Sequence, residues 1–154
     1  MAKNWAGNIT YAASELREPE SVEELAEIVA AAPSVRALGS RHSFNRVADT
    51  EGIQVSTASL PDFFRINEDS TVTVSAGLRY GEFVERLDSA GWALGNLASL
   101  PHISVAGAIA TGTHGSGVRN GSLASAVAGL ELVTSDGTTT VARRGDNDFD
   151  GMVV

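Results

Sequence analysis

The run of small residues from Pro101 to Gly117, PHISVAGAIATGTHGSG, restricts the possible folds of this chain more than any other stretch. It holds four glycines and two histidines, and it has no aliphatic side chain larger than isoleucine. Such a run cannot fill a core by itself, but its backbone N–H groups can approach a ligand closely because glycine has no Cβ atom. The run therefore predicts either a binding loop or a tight turn packed between strands.

A short buried helix is predicted inside this run. Ser104 precedes most of its apolar residues, and a serine side chain at a helix N-cap accepts a hydrogen bond from a first-turn N–H group. The N-terminus of a buried helix beside a glycine loop suits an anion, above all a pyrophosphate. If the run is a binding loop, it therefore predicts a cofactor that carries a pyrophosphate group.

Composition argues against several classes of partner. The 154 residues carry a formal net charge of −8, which argues against nucleic acid and anionic membranes. There is no cysteine, and this excludes disulfides, a thiolate nucleophile and cysteine metal sites. Three histidines without clustered carboxylates predict no metal site. No apolar leader and no apolar run of membrane-spanning length occurs, so we expect a cytoplasmic protein.

Hydrophobic periodicity predicts an α+β fold with about three short helices. Ser21 and Glu24 form a capping-box pattern at the start of a helix that Pro33 ends. A second helix follows a break at residues 77–81 and has Gly91 as its C-cap glycine. Strands are predicted at residues 35–38, 53–57, 63–66, 71–75, 92–94, 130–134 and 138–142, and residues 4–11 are predicted to form a strand or an extended arm. Residues 67–70 and 135–137 are predicted hairpin turns, and the tail at 146–149 predicts the start of a last helical turn.

Two smaller features of this pattern are also predicted. Trp5 and Tyr11, in the first predicted strand, are expected to pack on the body of the domain. The loop GSRHSFN at residues 39–45 follows the strand at 35–38 directly. Because ligand-binding loops of α/β folds lie at the carboxyl ends of strands, this loop predicts part of a binding site.

Several motifs resemble those of one known family and occur in the same order along the chain. The loop at 39–45, ASLPHISVAG at 98–107 and ATGTHGSG at 110–117 are similar to the PCMH-type FAD-binding domain of the vanillyl-alcohol-oxidase-type flavoproteins. NWAGN at 4–8 and GLRYG at 77–81 also fit. The resemblance spans essentially the whole chain. It is greatest to alditol (xylitol or sorbitol) oxidases, followed by sugar-lactone oxidases such as gulonolactone oxidase.

The resemblance implies two α+β subdomains with FAD between them. The glycine run would hold the pyrophosphate and ribityl chain, and His42 would be bonded covalently to the flavin 8α-methyl carbon through a neutral imidazole nitrogen. Ser99 matches a catalytic serine that contacts the substrate hydroxyl in alditol oxidases; a loop serine bonded to the backbone is the alternative. The implied cofactor-binding residues are Gly39, Ser40, Arg41, His42, Ser43, Ser99, Ser104, Gly107, Thr111, Gly112, Thr113 and His114.

Arg41 departs from the family pattern, in which glycine is expected before the histidine as often as not. If this position requires a positive φ, arginine adds strain. Its guanidinium could pair with a phosphate or face solvent.

Family members are much longer, so we expect residues 1–154 to be an FAD-binding domain that is C-terminally incomplete and lacks the substrate domain. For the intact enzyme, the resemblance implies hydride transfer from a polyol carbinol carbon to the flavin and reoxidation by O2 to give H2O2. The fragment alone is expected to be inactive, and its unfinished sheet edge would favour self-association.

Two other functions stay open. The chain could be a non-catalytic flavin- or nucleotide-binding fragment, or the FAD domain of a sugar-lactone oxidase or dehydrogenase. A nicotinamide-binding Rossmann domain is disfavoured, because the glycine run comes late and lacks the G-x-G-x-x-G spacing directly after a first strand.

Overall fold

The computed structural model describes residues 2–147 and 149–152. The chain forms two compact units. The first comprises the residues up to Pro61 together with Glu131–Thr140, and the second comprises Asp62–Leu130 with the residues from Val141 onward. Each unit combines helices with strands, which confirms the predicted α+β class.

The first unit is built on a three-stranded parallel sheet. β1 (Glu15–Arg17) and β2 (Val35–Leu38) both pair with the central strand β3 (Ile53–Ser56). Three of the four residues of β3 are buried, whereas β1 is exposed throughout. Because parallel strands cannot be joined by a tight turn, helix α1 (Val22–Ala31) lies between β1 and β2 in the chain.

Helix α1 begins where the capping pattern predicts. The Ser21 hydroxyl accepts a hydrogen bond of 3.1 Å from the Glu24 amide. The Glu24 carboxylate reaches back to the Glu20 amide at 2.8 Å, one residue before the position that the predicted capping box requires. The helix ends just before Pro33, as predicted.

The second unit starts with a hairpin and a helix. β4 (Phe64–Ile66) pairs antiparallel with β5 (Val72–Val74) across the predicted turn, and α2 (Tyr80–Ser89) follows. Gly91 has φ +77° and ends α2 as the predicted C-cap glycine. Helix α3 (Val105–Ile109) and a 3₁₀ turn come next. The buried core of this unit consists of Tyr80, Phe83, Leu87, Ile103, Ala108 and Leu123.

A second hairpin joins β6 (Gly129–Val133) to β7 (Thr139–Arg143), with Gly137 at φ +80° in the predicted turn. A Cβ atom at Gly137 would lie 3.0 Å from the Ala26 carbonyl oxygen, so the turn packs against α1. The predicted last helical turn is a 3₁₀ turn at Phe149–Gly151.

Two strand predictions are wrong. Residues 4–11 form a tight loop in which the Asn4 amide donates to the Ile9 carbonyl at 3.0 Å, rather than a strand. The predicted strand at 92–94 is irregular, because the Trp92 amide donates to the Leu87 carbonyl and completes the end of α2.

Strand β1 was not predicted. Its residues are all exposed and two of the three are charged, so it carries neither alternation nor an apolar run. Its pairing with β3 comes from tertiary structure alone. None of the described helices is long and apolar enough to cross a membrane.

Candidate functional site

The loop at residues 39–45 leaves the carboxyl end of β2, where a binding loop of a parallel sheet is expected. Leu38, the last residue of β2, is buried with Ile9 and Tyr11 and fixes the start of the loop. His42 and Ser43 are half-buried, as is Ser40, whereas Gly39 and Arg41 are exposed.

The N-terminal loop contacts three consecutive residues of this candidate loop. The Trp5 amide donates to the Arg41 carbonyl at 2.9 Å, and the Asn4 side-chain amide donates to the Ser43 carbonyl at 3.1 Å. Between these bonds, the Trp5 ring stacks on the His42 ring with centroids 4.6 Å apart. Trp5 is 63% exposed, so it packs on the surface of the domain and not in a buried core. Its ring covers His42 instead.

The Arg41 backbone is in the left-handed region, with φ +64°. This conformation favours glycine, which explains why glycine is expected there, and it is strained for arginine. Because Arg41 has a positive φ, the strain that the sequence predicts for this case is present.

Tyr11 lies in the core that supports this loop. It is 2% exposed, and no hydrogen-bond partner for its phenol oxygen is found among the described residues. Burial raises the pKa of Tyr11, the positive charge of Arg41 opposes that rise, and the negative charge of Asp49 adds to it. The predicted packing of Tyr11 is confirmed.

Asp49 ties the chain after the loop to the chain around Ala12, within the first unit. Its carboxylate accepts from the Ala12 amide at 2.7 Å and from the Thr50 amide at 3.0 Å, and it pairs with Arg46. These hydrogen bonds, the one from Ala12 first, lower the pKa of Asp49.

The N-terminus of α3 is not the open anion site that the glycine run suggested. The Val105 amide donates to the Leu78 carbonyl at 2.9 Å, and the Ala106 amide donates to the Ala76 carbonyl at 3.1 Å. The Ser104 side chain makes no capping hydrogen bond to the helix. Both expectations are wrong for one reason: the chain around Leu78 pairs with the start of α3 and uses its first amides.

The chain just after α3 keeps two backbone donors available. Gly112 has φ +65°, a conformation that glycine adopts without strain. Thr113 donates its amide to the Ala108 carbonyl, which turns the chain back on α3. Within the described part of the chain, the backbone N–H groups of Gly112 and His114 donate no hydrogen bond.

Threonine and histidine side chains shape this turn. The Thr111 hydroxyl donates to the Gly107 carbonyl at 2.9 Å and lies 3.3 Å from the Thr113 hydroxyl. The His114 Nδ1 atom lies 2.9 Å from the Gly115 carbonyl oxygen. These contacts hold the turn while the two amides stay available.

Gly115 is required by packing. A Cβ atom there would lie 2.1 Å from the Leu97 carbonyl oxygen and 2.6 Å from the Asn96 side-chain oxygen. The tight-turn interpretation therefore holds for Gly115, while the available amides of Gly112 and His114 fit the binding interpretation.

The remaining predicted cofactor residues lie outside both the loop at residues 39–45 and the turn after α3. Ser99 is exposed in the irregular chain between α2 and α3, Ser104 is buried, and Gly107 is half-buried within α3. One open depression of about 240 Å³ lies elsewhere in the second unit, near the start of α2. It is lined by Arg79, Gly81, Glu82, Glu85, Pro101 and His102, which are not predicted cofactor residues.

Residues 13–143 match the sequence profile of a family described as FAD binding domain. The chain belongs to this FAD-binding domain family. FAD is therefore the ligand that the residues of this site must fit. Its pyrophosphate needs N–H donors and close backbone approach, and the available amides of Gly112 and His114 beside a glycine at positive φ fit that need.

The chain is similar to known oxidases. It is 47% identical to alditol oxidase from Streptomyces sp. (strain IKD472 / FERM P-14339), over 97% of this chain and 37% of that protein. It is 33% identical to L-gulonolactone oxidase from Bos taurus, over 88% of this chain and 32% of that protein. The chain thus spans about a third of the length of the curated relatives that it matches.

Solved structures show the same fold. Cholesterol oxidase from Brevibacterium sterolicum superposes with a TM-score of 0.79 at 22% identity, over 94% of this chain and 32% of that chain. At this identity, the likeness concerns the fold alone. It confirms that this FAD-binding domain has the expected architecture.

Asn4 and Trp5 were missed as site residues. The motif NWAGN was noticed as part of the resemblance, but no role followed from it. Their contacts with residues 41–43 join positions far apart in the chain, and such contacts leave no local pattern.

Proposed function

We propose that this chain is the FAD-binding domain of an alditol oxidase. The observation that supports this most is the 47% identity to an alditol oxidase over 97% of the chain. When bound, FAD would supply two-electron oxidation of a polyol carbinol carbon, with O2 as the final acceptor and H2O2 as product. This chain would provide the cofactor site, and the polyol would be held by other parts of the enzyme.

In this proposal, the turn after α3 holds the phosphates of FAD. The Gly112 and His114 amides donate to the pyrophosphate, and Thr111 and Thr113 keep the turn in shape. Gly107 and Ser104 support it from α3. Ser99 is proposed to meet the substrate hydroxyl, and its exposure is consistent with that role.

The loop after β2 supplies the covalent link in this proposal. Gly39, Ser40, Arg41 and Ser43 shape the loop, and His42 bonds to the flavin 8α carbon. One C–H bond of the 8α-methyl group and the imidazole N–H bond are broken, and one C–N bond forms. The two hydrogens, with their electrons, pass to O2 and give H2O2, so the step balances. His42 is half-buried as a residue, and both of its ring nitrogens are buried, so one of them must become accessible before the bond can form.

The first experiment tests FAD binding and the covalent link together. The purified chain is incubated with FAD in air, precipitated with acid, and washed, and the flavin that remains is mapped by peptide mass. We expect flavin on the peptide that contains His42, and none in His42→Ala. His102→Gln serves as the matched histidine control and should keep it. Covalent flavin that persists in His42→Ala would refute this assignment, and a chain that binds no FAD either alone or within the alditol oxidase chimera described below would refute the wider proposal.

A second candidate is the FAD domain of a sugar-lactone oxidase, favoured by the 33% identity to L-gulonolactone oxidase. Two chimeras separate the candidates: this chain replaces the matching segment of alditol oxidase or that of L-gulonolactone oxidase. We expect H2O2 release from a polyol by the first chimera and weak or no lactone oxidation by the second. The reverse result would favour the lactone enzyme.

A further inference from the structure

We propose that Asn4 and Trp5 form a clamp that positions the His42 imidazole for bonding to the flavin. The purpose of the clamp rests on the function proposed above, whereas its geometry does not. Two backbone carbonyls, on either side of His42, accept hydrogen bonds from these residues at 2.9 Å and 3.1 Å. The Trp5 ring lies on the imidazole between them, with an interplanar angle of 30°.

These contacts restrict both parts of the histidine. The bonds to the Arg41 and Ser43 carbonyls fix the backbone from which the side chain starts. The stacked Trp5 ring covers one face of the imidazole and limits rotation about its side-chain bonds. A nucleophile held in one orientation reacts faster than one that samples several, because the entropic cost has already been met.

The clamp is itself rigidly held. Asn4 is 4% exposed, and its side-chain oxygen accepts from the Ile9 amide at 3.0 Å while its nitrogen also donates to Asn8 at 2.8 Å. Ile9 packs with Leu38, the last residue of β2. The clamp and the loop that carries His42 are therefore anchored to the same strand end.

The exposure of Trp5 supports a positioning role. A tryptophan that only stabilises a fold buries most of its ring, but Trp5 is 63% exposed and its ring stacks on His42. The strained Arg41 backbone also needs support from its surroundings, and the Trp5 amide provides a bond to its carbonyl.

The test compares variants that keep the backbone and change the ring. Trp5→Phe keeps an aromatic stack, Trp5→Leu removes it, and both keep the amide that bonds to Arg41. Trp92→Leu, another exposed tryptophan, is the control. The ring-proton shifts of His42 are measured by NMR without FAD, and the rate of acid-stable flavin attachment is measured separately. Thermal melting checks that each variant folds.

We expect Trp5→Leu to remove the upfield ring-current shift of His42 and to slow covalent attachment about 2- to 10-fold, with non-covalent FAD affinity unchanged. Trp5→Phe should restore most of both, and Trp92→Leu should change neither. Asn4→Asp keeps the acceptor for Ile9 but loses the donor to Ser43, so it should also slow attachment.

Three outcomes would overturn the clamp. The first is an unchanged His42 shift in Trp5→Leu, which can be observed whether or not flavin binds. The second is an unchanged attachment rate in Trp5→Leu. The third is equal slowing in Trp5→Phe and Trp5→Leu, which would indicate a merely structural role. Failure of the proposed function is seen differently, because the unmodified chain would then bind no FAD either alone or within the alditol oxidase chimera.

Discussion

The two candidate regions are held in shape by different means. The loop around His42 depends on side chains from elsewhere in the chain: the Asn4 amide, the Trp5 ring and a core under the loop. The turn after α3 depends on its own backbone, with Gly112 at positive φ and Gly115 packed against the Leu97 carbonyl. The first presents a side chain, and the second presents amides.

This difference predicts how each region responds to substitution. Backbone support requires glycine at fixed positions, so a single added Cβ atom is costly there. Side-chain support tolerates changes within the loop, because the supporting residues lie outside it. Substitutions can therefore test which kind of support each region has, beginning with the largest expected effect.

Gly115→Ala should cause the largest loss of stability. Its Cβ atom would meet the Leu97 carbonyl oxygen at 2.1 Å, and backbone would have to move. We expect the free energy of unfolding to fall by about 3 kcal/mol in urea denaturation. Gly95→Ala is the matched control, because nothing lies within 4 Å of its added Cβ. Equal effects of the two variants would remove the distinction between the regions.

Gly112 tests whether the backbone turn is also the cofactor site. Gly112→Val places a β-branched residue at φ +65°, and we expect a loss of roughly 2 kcal/mol. Gly112→Asn tolerates this conformation and should lose much less. Both variants add a side chain beside the available amides, so both should lower FAD affinity in a fluorescence titration. Unchanged affinity in Gly112→Asn would argue against the amides as the phosphate site.

Tyr11→Phe tests the core under the His42 loop. It removes a buried phenol oxygen with no hydrogen-bond partner among the described residues, and we expect the free energy of unfolding to rise by about 1 kcal/mol. A loss of stability would show that this hydroxyl has a partner after all, such as a buried water molecule.

The same variant should change the alkaline limit of stability. Because burial raises the pKa of Tyr11, the folded chain holds this proton more tightly than the unfolded chain does. That stabilisation is complete below about pH 10 and is lost as the pH rises through the folded pKa. Burial raises the pKa of Tyr80 as well, so Tyr11→Phe should reduce the alkaline loss without abolishing it. This reduction is measured from urea denaturation midpoints between pH 8 and 11, a range that includes the ordinary tyrosine pKa of about 10.

Arg41→Gly should have the smallest effect. Relief of the left-handed strain is partly cancelled by the added backbone freedom of glycine, which leaves a gain of about 0.5 kcal/mol. A fall of more than about 1 kcal/mol in the free energy of unfolding would show that the arginine side chain stabilises the loop by more than the strain costs.

The sequence predicted well where local patterns decide the structure. The helix after Ser21, the Gly91 cap and the Gly137 turn depend on neighbouring residues, and all three are confirmed. It failed where partners are remote. The open helix N-terminus at Ser104 was wrong because residues 76–78 use its amides. The stacking of Trp5 on His42 was not predicted because the two residues are 37 positions apart in the chain.

The hairpin turn at Gly137 packs on α1, and Glu131–Thr140 complete the unit that begins at the N-terminus. On a ribosome, the first strands of that unit emerge early, but their last partner follows only after residues 62–130 have been made. At about 5–20 residues per second, this interval lasts roughly 3–14 s. For that time, the face of α1 that Gly137 later contacts has no hairpin turn against it. The N-terminal part of this unit therefore matures only after residues 131–140 have been synthesised.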